Sequence, residues 1–327
     1  MNRTRRRLCA ATLLPALPLF AKPALADAPW PTRAVRIVVP FAPGGGTDII
    51  ARALGGALGP RLKQPVTVDN KPGASTIIGA DSVAKADAQS HVLLVSGSTT
   101  FTVNPALRSR LPYDPARDLA LVAMIAKAPL VLAVNTSAPW KTLPELLAAA
   151  RAKPSGLAFA TFGPGSGPQL AGALLALEAG VQWLEVPYKG SGPALTDLLG
   201  GQLQFVIDTV ASAGPQVKAG KLRALAVLGP ARVSELPGVA SLAELRMPRA
   251  AFDAWYALAA PARMPAAARA VVEREVRAAM ADPALQATVR QQAMQPVFIG
   301  SDALKPIVDE EIARYRMLMH RANIVVD

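Results

Sequence analysis

Short apolar runs that alternate with helical patterns organise this chain of 327 residues. The first run, Val35 to Val39, is rich in β-branched residues and ends at a loop of prolines and glycines. Behind the loop, apolar residues recur at the spacing of one helix face, at Ile50, Leu54, Leu58 and Leu62. The same unit repeats, with further strands predicted at 66–69, 92–95, 157–160, 183–186 and 203–207. This repetition predicts an α/β fold built of mainly parallel sheets flanked by helices.

A long apolar stretch in the middle of the chain divides these units into two groups. Residues 121–134 form a run that is too long for one ordinary strand and suits a crossover between two lobes. A return strand is predicted at 252–259. Three helices that would pack on the first lobe follow it, at 266–280, 284–292 and 302–319. We therefore expect a first lobe at 27–125, a second lobe at 126–251 and a return to the first lobe at 252–327.

The first 26 residues have the pattern of an export signal. Four arginines lie near the start, Leu8 to Phe20 is apolar, and Ala24-Leu25-Ala26 has the small residues of a cleavage site. The apolar part is interrupted by prolines and is shorter than the roughly 20 residues that span a bilayer. We predict that residues 1–26 are removed on export to the periplasm, by either the general or the twin-arginine route.

Composition excludes several classes of site. The single cysteine, Cys9, lies in the predicted signal, and the chain has two histidines, His91 and His320. A metal site or a nucleophile-base pair needs several such groups close together, so we predict no cofactor, no metal site and no catalytic residue. We expect His91 to flank the third strand in a structural role.

Net charge suits an anionic ligand better than nucleic acid. The formal charge of +12 includes five basic residues of the signal; without them, 30 basic and 23 acidic residues leave +7. No basic run follows the signal, and aromatic residues make up only 5% of the chain. We therefore predict no nucleic-acid partner, while attraction of small anions remains reasonable.

The loop at residues 40–46 has the composition of an anion-binding turn. It precedes a helix, whose first backbone N–H groups lack partners and lie at the positive end of the helix dipole. A phosphate-binding P-loop would need Gly-Lys-Ser/Thr at Gly46-Thr47-Asp48, and a dinucleotide fingerprint would need glycine at Ile49. A plain tight turn needs one glycine, whereas this loop has three. We favour a binding loop, expect Thr47 or Asp48 to cap the helix, and expect a branched side chain at Gly45 to obstruct both backbone and anion.

Four blocks of sequence share one family pattern. They are PFAPGGGTDIIAR at 40–52, NKPGA at 70–74, LPYDP at 111–115 and VPYKGSGPALTDLLGGQL at 186–203. In this order they resemble the extracytoplasmic solute receptors of tripartite tricarboxylate transporters, the TctC-like or Bug family. The resemblance implies a two-lobed periplasmic binding protein, type II-like, in which each lobe is a mainly parallel sheet flanked by helices. It also implies a small carboxylate ligand and a membrane permease as partner, and we expect a monomer.

Three positions depart from the family's pattern. Residues 75–77, Ser-Thr-Ile, stand where glycines and a small polar residue usually follow NKPGA. Gln169 stands where the family often has histidine, and residues 88–91 replace an acidic-glycine-aromatic turn. The first and second of these changes affect positions near the expected ligand pocket. The identity of the ligand is therefore not carried over from the family.

Loops at the carboxyl ends of the predicted strands are the expected ligand site, because open parallel sheets bind ligands there. In the first lobe the candidates are Ala42, Pro43, Gly44, Gly45, Gly46, Thr47, Asp48, Ser96, Gly97, Ser98 and Thr99. In the second lobe they are Thr161, Phe162, Gly163, Gly165, Ser166, Gln169, Tyr188, Lys189 and Asp208. The first-lobe loops contain no arginine or lysine, so backbone N–H groups, hydroxyls and water would have to meet a carboxylate.

The sequence predicts a non-enzymatic periplasmic receptor that closes on a small organic acid and hands it to a transporter. Two alternatives stay open. One is a ligand-sensing subunit for a signalling partner, which the sequence does not separate from a transport receptor. The other is an exported α/β enzyme that acts on a nucleotide or phosphate substrate, against which the lack of a nucleophile-base constellation argues.

Overall fold

The computed structural model describes residues 30–163 and 165–322, with side chains up to Leu318. The predicted signal at 1–26 and the imidazole of His320 lie outside this description. The strands of the described residues are β1 Val35–Val39, β2 Val66–Asn70, β3 Val92–Gly97, β4 Leu119–Asn135, β5 Ala158–Thr161, β6 Leu184–Pro187, β7 Phe205–Thr209, β8 Leu222–Val227, β9 Asp253–Pro261 and β10 Gln295–Gly300.

Helices alternate with these strands as the hydrophobic pattern predicts. They are α1 Gly46–Leu62, α2 Ile77–Ala84, α3 Asn104–Leu107, α4 Pro115–Asp118, α5 Leu143–Ala152, α6 Gly167–Ala179, α7 Ser191–Leu199, α8 Val210–Lys218, α9 Ala266–Met280, α10 Pro283–Gln291 and α11 Ser301–Ala322. Shorter turns are the 3-10 segments Ala74–Thr76 and Pro248–Ala250 and the π-helical turn Thr99–Val103. No described helix combines the length and the apolar character that crossing a bilayer requires.

One continuous sheet runs through the molecule, in the order β2-β1-β3-β9-β4-β7-β5-β6. β1 pairs in parallel with β2 and β3, and β5 pairs in parallel with β6 and β7. β8 and β10 pair with β4 outside this order. The two parallel groups are the half-sheets of two lobes, which confirms the predicted fold class.

β4 joins the two lobes. Its residues 119–129 pair with β9, and its residues 130–134 pair with β7. It is one strand of 17 residues, so the expectation that the apolar run exceeds a single strand is wrong. Register shifts against β9 let so long a strand follow the twist of the sheet. The exact lobe boundaries, after residues 125 and 251, stay predictions.

Strand directions turn the two lobes toward each other. β9 is antiparallel to both β3 and β4, so β3 and β4 run the same way, from the first lobe toward the second. β7 is antiparallel to β4, so β7 and its parallel neighbours run back toward the first lobe. The carboxyl ends of both parallel groups therefore meet at the junction, and the loops that follow them face one another.

Helices cover both faces of each half-sheet. In the first lobe, α1, α9 and α10 bury one face around Leu54, and α2 with the start of α11 buries the other around Leu304. In the second lobe, Phe159 stacks on Phe205 with ring centroids 5.0 Å apart, and Trp183 meets both rings edge-on. Each fully buried large apolar side chain contributes about 1.5–3 kcal/mol. These cores give the loops at the junction a rigid base.

The C-terminal segment differs from prediction in two ways. The sequence pattern places α11 on the first lobe, where Leu304 does pack, but Tyr315 and Leu318 are buried in the second-lobe core. The helix thus spans both lobes, since 22 residues reach roughly 33 Å. β10 is not predicted, because Pro296 and Gly300 interrupt it and its six residues are half-buried instead of alternately buried and exposed.

His91 anchors the residues that precede β1. Its Nε2 accepts a hydrogen bond from the Thr32 backbone N–H at 3.0 Å, and its ring stacks on Trp30 at 5.6 Å between centroids. Its Nδ1 lies 3.0 Å from the Gln89 carbonyl oxygen and 3.2 Å from Arg33 Nε. Burial lowers the pKa of His91, an effect that the bond to Gln89 offsets only in part. His91 has the structural role expected of it.

We expect this anchor to weaken in acid. An unfolded histidine has a pKa of about 6.5, and the folded pKa is lower, so the unfolded chain takes up the proton first. The stabilisation is therefore complete above about pH 6.5 and is lost as the pH falls through the folded pKa. Urea denaturation of the wild type and His91→Gln should show the larger loss on acidification in the wild type. Equal losses in both proteins would contradict this assignment.

Candidate ligand-binding cleft

The loops at the facing strand ends enclose a cleft of about 340 Å³. One wall comes from the first-lobe loops after β1, β2 and β3, and the other from the second-lobe loop after β5. The described lining residues are Pro40, Phe41, Ala42, Pro72, Gly73, Ser75, Thr76, Thr99, Phe162, Gly165 and Ser166. A larger hollow of about 870 Å³ lies between α4 and α11. That hollow lies beside the amino end of β4, whereas open sheets bind ligands at the carboxyl ends of their strands.

Several predicted ligand-binding residues line this cleft, namely Ala42, Thr99, Phe162, Gly165 and Ser166. The other candidates do not line it: most lie beside the lining residues in the chain, whereas Tyr188 and Lys189 follow β6 and Asp208 lies near the end of β7. These other candidates are Pro43, Gly44, Gly45, Gly46, Thr47, Asp48, Ser96, Gly97, Ser98, Thr161, Gly163, Gln169, Tyr188, Lys189 and Asp208. Direct contact of each of these residues with a ligand stays a prediction.

The glycines of the loop after β1 have different roles. Gly44 has φ +82°, a backbone conformation that L side chains rarely adopt. A Cβ on Gly46 would come within 2.7 Å of the Met294 side chain. Gly45, by contrast, has φ −76°, and a Cβ there would meet only the Ala42 carbonyl oxygen at 3.7 Å. The expectation that a side chain at Gly45 obstructs the backbone is wrong, because the backbone requirement for glycine falls on Gly44, while the flexible end of Met294 can move away from a side chain at Gly46.

Asp48 holds this loop from behind. Its buried carboxylate accepts hydrogen bonds from the Gly44 N–H at 2.9 Å, from Arg52 Nε at 3.0 Å and from the Asn70 amide at 3.0 Å. The Asn70 amide also donates to the Phe41 carbonyl oxygen at 3.1 Å. Burial alone would raise the pKa of Asp48, but the bonds from Arg52, Gly44 and Asn70 lower it. The carboxylate is therefore ionised and occupied with supporting the cleft wall.

The start of α1 is built differently from the prediction. Gly45 is the N-cap residue and no side chain caps it, so the expected capping by Thr47 or Asp48 is wrong. Thr47 is buried and shares a hydrogen bond with the Tyr256 side chain. The same ring lies 3.3 Å from the place where a Cβ on Gly97 would stand. β9 thus supports both the start of α1 and the end of β3.

The segment after β2 contributes four lining residues, Pro72, Gly73, Ser75 and Thr76, that the sequence analysis leaves out of the site. Ala74, Ser75 and Thr76 all have positive φ, at +45°, +51° and +77°. This conformation is uncommon for residues with side chains, and most of all for a β-branched residue. The signal in the sequence is the departure from the family pattern at residues 75–77. Local propensity gives no reason to expect a left-handed backbone there.

Hydrogen bonds within the chain also shape the second-lobe wall. Ser166 Oγ accepts from the Phe162 N–H at 3.1 Å, and Gln169 Oε1 accepts from the Gly165 N–H at 2.8 Å. The Gln169 amide in turn donates to the Glu185 carboxylate at 2.8 Å. Ser166 is the N-cap residue of α6, but its hydroxyl closes the preceding loop and makes no capping bond. Gln169 supports its loop from behind, as Asp48 does in the first lobe.

No charged side chain is among the described residues that line the cleft. The positive pole near its first-lobe wall is the start of α1, a helix of 17 residues. An anion in the cleft would be met by backbone N–H groups, by water and by the hydroxyls of Ser75, Thr76, Thr99 and Ser166. The arrangement can therefore hold an anion without a cationic side chain from the described lining residues.

Comparison with known proteins identifies the family. The model of the tripartite tricarboxylate transporter family receptor, TctC, matches residues 50–324. The chain belongs to this family. It is similar to Protein BugT of Bordetella pertussis, with 35% identity over 316 residues that cover 96% of both chains. It is also 36% identical to a protein encoded in the tcbD-tcbE intergenic region of Pseudomonas sp. strain P51, over 97% of this chain and 94% of that one.

Solved structures share the fold of this TctC-family receptor. A periplasmic transporter has a TM-score of 0.77 and 33% identity over 91% of this chain and 100% of its own. An adipate-bound Rhodopseudomonas palustris protein has a TM-score of 0.77 and 31% identity over 90% and 99%. MatC from the same organism, with bound malate, has a TM-score of 0.73 and 29% identity over 88% and 99%. The protein is a solute receptor and not an enzyme.

Tyr188 and Lys189 of the receptor lie in the loop before α7. The Tyr188 hydroxyl donates to the Asp197 carboxylate at 2.6 Å, and this bond raises the pKa of Tyr188 to about 12. The Lys189 side chain is exposed. Tyr188 is therefore fixed within its own lobe, and Lys189 is the cation nearest in sequence to a candidate second-lobe loop.

Asp208 lies near the carboxyl end of β7, two residues beyond the last residue that pairs with β5, and is thus level with Phe162 in the parallel register. It is 1% exposed. Its Oδ1 accepts from the Ser191 hydroxyl at 2.9 Å and from the Thr209 N–H at 2.7 Å, whereas no described atom bonds to Oδ2. Burial raises the pKa of Asp208 to about 6, more than these two hydrogen bonds lower it.

We expect Asp208 to make the receptor less stable as the pH rises toward 6. The folded state keeps the proton longer than the unfolded state, so the penalty is absent below the unfolded pKa of 3.8 and complete above about 6. A shift of this size corresponds to on the order of 3 kcal/mol. Denaturation on both sides of this window should show Asp208→Asn gaining stability relative to the wild type at the higher pH.

Asp309→Asn is the control, because Asp309 is 56% exposed in a surface pair with Lys305. It should not show the same pH dependence. A constant difference between Asp208→Asn and the wild type at all pH values would contradict a buried, titrating carboxyl group.

Proposed function

We propose that the protein captures a small organic acid in this cleft and delivers it to the membrane permease of a tripartite transporter. The observation that carries the proposal is an uncharged cleft between the strand-end loops of two lobes, in a chain of the TctC receptor family. Two proteins of the same fold were solved with adipate and with malate, which are small carboxylates. Both likenesses support a carboxylate as the ligand.

A carboxylate in this site would be held by dipoles and hydroxyls. Each hydrogen bond to a charged group contributes about 1.5–3 kcal/mol, so a few well-placed donors suffice for binding. Because no ion pair with the protein forms, none has to be broken when the ligand leaves. This combination suits a receptor that must both capture a solute and release it.

Hinge closure of the lobes is the second part of the proposal. Ala42 and Thr99 lie on one wall, and Phe162 and Ser166 on the other. A ligand that bonds both walls binds the closed form more tightly than the open form, and therefore shifts the population toward closure. A permease that recognises the closed form would then distinguish loaded from empty receptor.

We further propose that the receptor acts in the periplasm, as a monomer, after removal of residues 1–26. The pattern of basic, apolar and small residues at 1–26 supports export. Relatives described as a periplasmic transporter and as the periplasmic binding protein BugD support the same compartment. The membrane permease of the tripartite transporter would be the partner that receives the acid.

Binding should stabilise the mature protein against heat. A ligand at about 100 times its dissociation constant adds about 2.7 kcal/mol to the free energy of unfolding. Thermal-shift measurements with a panel of mono- and dicarboxylates, including adipate and malate, should therefore find acids that raise the melting temperature. Amides of the same acids and ATP are the controls. Stabilisation by ATP and by none of the acids would contradict the proposal.

Loop support should matter more for affinity than the exposed lysine. Lys189→Ala should weaken binding of a stabilising acid by less than about tenfold, or 1.4 kcal/mol. Asp48→Ala should weaken it by more, because Gly44, Arg52 and Asn70 lose their common acceptor and the loop after β1 relaxes. Calorimetry on variants whose circular dichroism matches the wild type measures both effects. A larger loss of affinity in Lys189→Ala than in Asp48→Ala would indicate that Lys189 binds the anion.

A further inference from the structure

A chain of buried hydroxyls runs from the end of β3 to the cleft wall. Ser96 Oγ lies 2.5 Å from Thr100 Oγ1, and the Thr100 hydroxyl donates to Thr76 Oγ1 at 2.7 Å. Ser96 and Thr100 are fully buried, and Thr76 is 4% exposed where it lines the cleft. The chain therefore starts in the first-lobe core and ends at the ligand site.

The single hydrogen on each hydroxyl determines which residue donates and which accepts along this row of hydroxyls. A hydroxyl has one hydrogen to donate and two positions at which it accepts. Because Thr100 donates its hydrogen to Thr76, it must accept from Ser96. Thr76 Oγ1 accepts from Thr100 and also from the Asn104 amide at 3.4 Å, so both of its acceptor positions are occupied. The Thr76 hydroxyl is left as a donor, and no described atom accepts its hydrogen.

Asn104 is fixed in the orientation that this count requires. Its Oδ1 lies 3.4 Å from Arg108 Nε, which only donates, so the amide NH₂ group must be on the opposite side. That NH₂ group donates to the Ser75 carbonyl oxygen at 2.8 Å and to Thr76 Oγ1. Asn104 is 3% exposed. Its two bonds hold Ser75 and Thr76 in the left-handed conformation that presents them at the cleft.

We propose that Thr76 is the hydroxyl donor that recognises a carboxylate oxygen of the ligand, with Ser96, Thr100 and Asn104 as positioning residues behind it. The inference rests on the proposed function and deepens it by naming one donor in its site. Each hydroxyl that donates along the chain polarises the next, so the hydrogen of Thr76 is a stronger donor than that of an isolated threonine. A carboxylate gains most from such a donor, because its negative charge strengthens the bond.

The same arrangement selects against other groups at this point of the cleft. An ammonium or a methyl group cannot accept the Thr76 hydrogen and would leave a buried donor without a partner. Thr76 cannot turn round to accept instead, because Thr100 and Asn104 occupy both acceptor positions. The Thr76 hydroxyl therefore favours ligand groups that accept a hydrogen bond and disfavours groups that do not.

Calorimetry of the mature protein with adipate and with malate tests this inference. Thr76→Val removes the donor with little change in shape and should weaken binding by about 10- to 100-fold. Thr76→Ser keeps the hydroxyl and should bind within about threefold of the wild type. Thr100→Val removes the polarising donor without touching the ligand and should weaken binding by about three- to tenfold.

Ser82→Ala is the matched control, because the Ser82 hydroxyl donates to the Gly79 carbonyl oxygen within α2 and is not part of the row of buried hydroxyls. It should leave affinity unchanged. Wild-type affinity in Thr76→Val, or equal losses in Thr76→Val and Thr76→Ser, would overturn the inference and leave the proposed function standing. If Thr76→Val does not fold, unchanged affinity in Thr100→Val overturns it. A wild type that binds neither acid, nor any other carboxylate of the panel, overturns both.

Discussion

The antiparallel pairing of β4 with β9 and β7 is the constraint on which the rest of the structure depends. One strand of 17 residues takes part in both half-sheets, so its direction sets the direction of every other strand. Reversing the pairing on either side would turn one set of strand-end loops away from the junction. Because both pairings are antiparallel, the strand-end loops of the two lobes meet across one cleft. The helices that follow these loops begin with backbone N–H groups that have no partner within the helix. The ligand site follows from the topology before any particular side chain is considered.

The described residues of the loops at this junction include no charged lining residue, so side chains outside the cleft support the shape of these loops. Three buried or half-buried polar side chains do this, each from behind the loop that it supports. Asp48 bonds the loop after β1, Asn104 the segment after β2, and Gln169 the loop after β5. Networks of this kind are costly when partly satisfied and rigid when complete. The one charged support, Asp48, lies behind its loop, and neutral donors line the cleft among the described residues.

Much of this fold can be predicted from sequence, because its strands are short β-branched runs and its helices have clear apolar faces. α9 is predicted at its observed bounds, 266–280. The failures have physical reasons. Thr76 lines the cleft with a left-handed backbone, and its side-chain partners, Thr100 and Asn104, are distant in sequence, so local propensity contains no such information. The same is true of α11, whose apolar face does not reveal that Tyr315 packs on the second lobe.

The proposed closure would bend the molecule near the point where β4 changes its partner strand. β4 changes partner just after Pro129, which has no N–H to give to the ladder. Close to it, Lys127 pairs with Asp253 at 3.5 Å, and Arg314 of α11 donates to the Ala251 carbonyl oxygen at 3.0 Å. A closure that keeps these contacts would be a rotation about the crossing strands. In the proposed closure, the crossing strands would limit how far the walls travel, and the hydrogen-bond donors of the loops would determine which solute both walls hold.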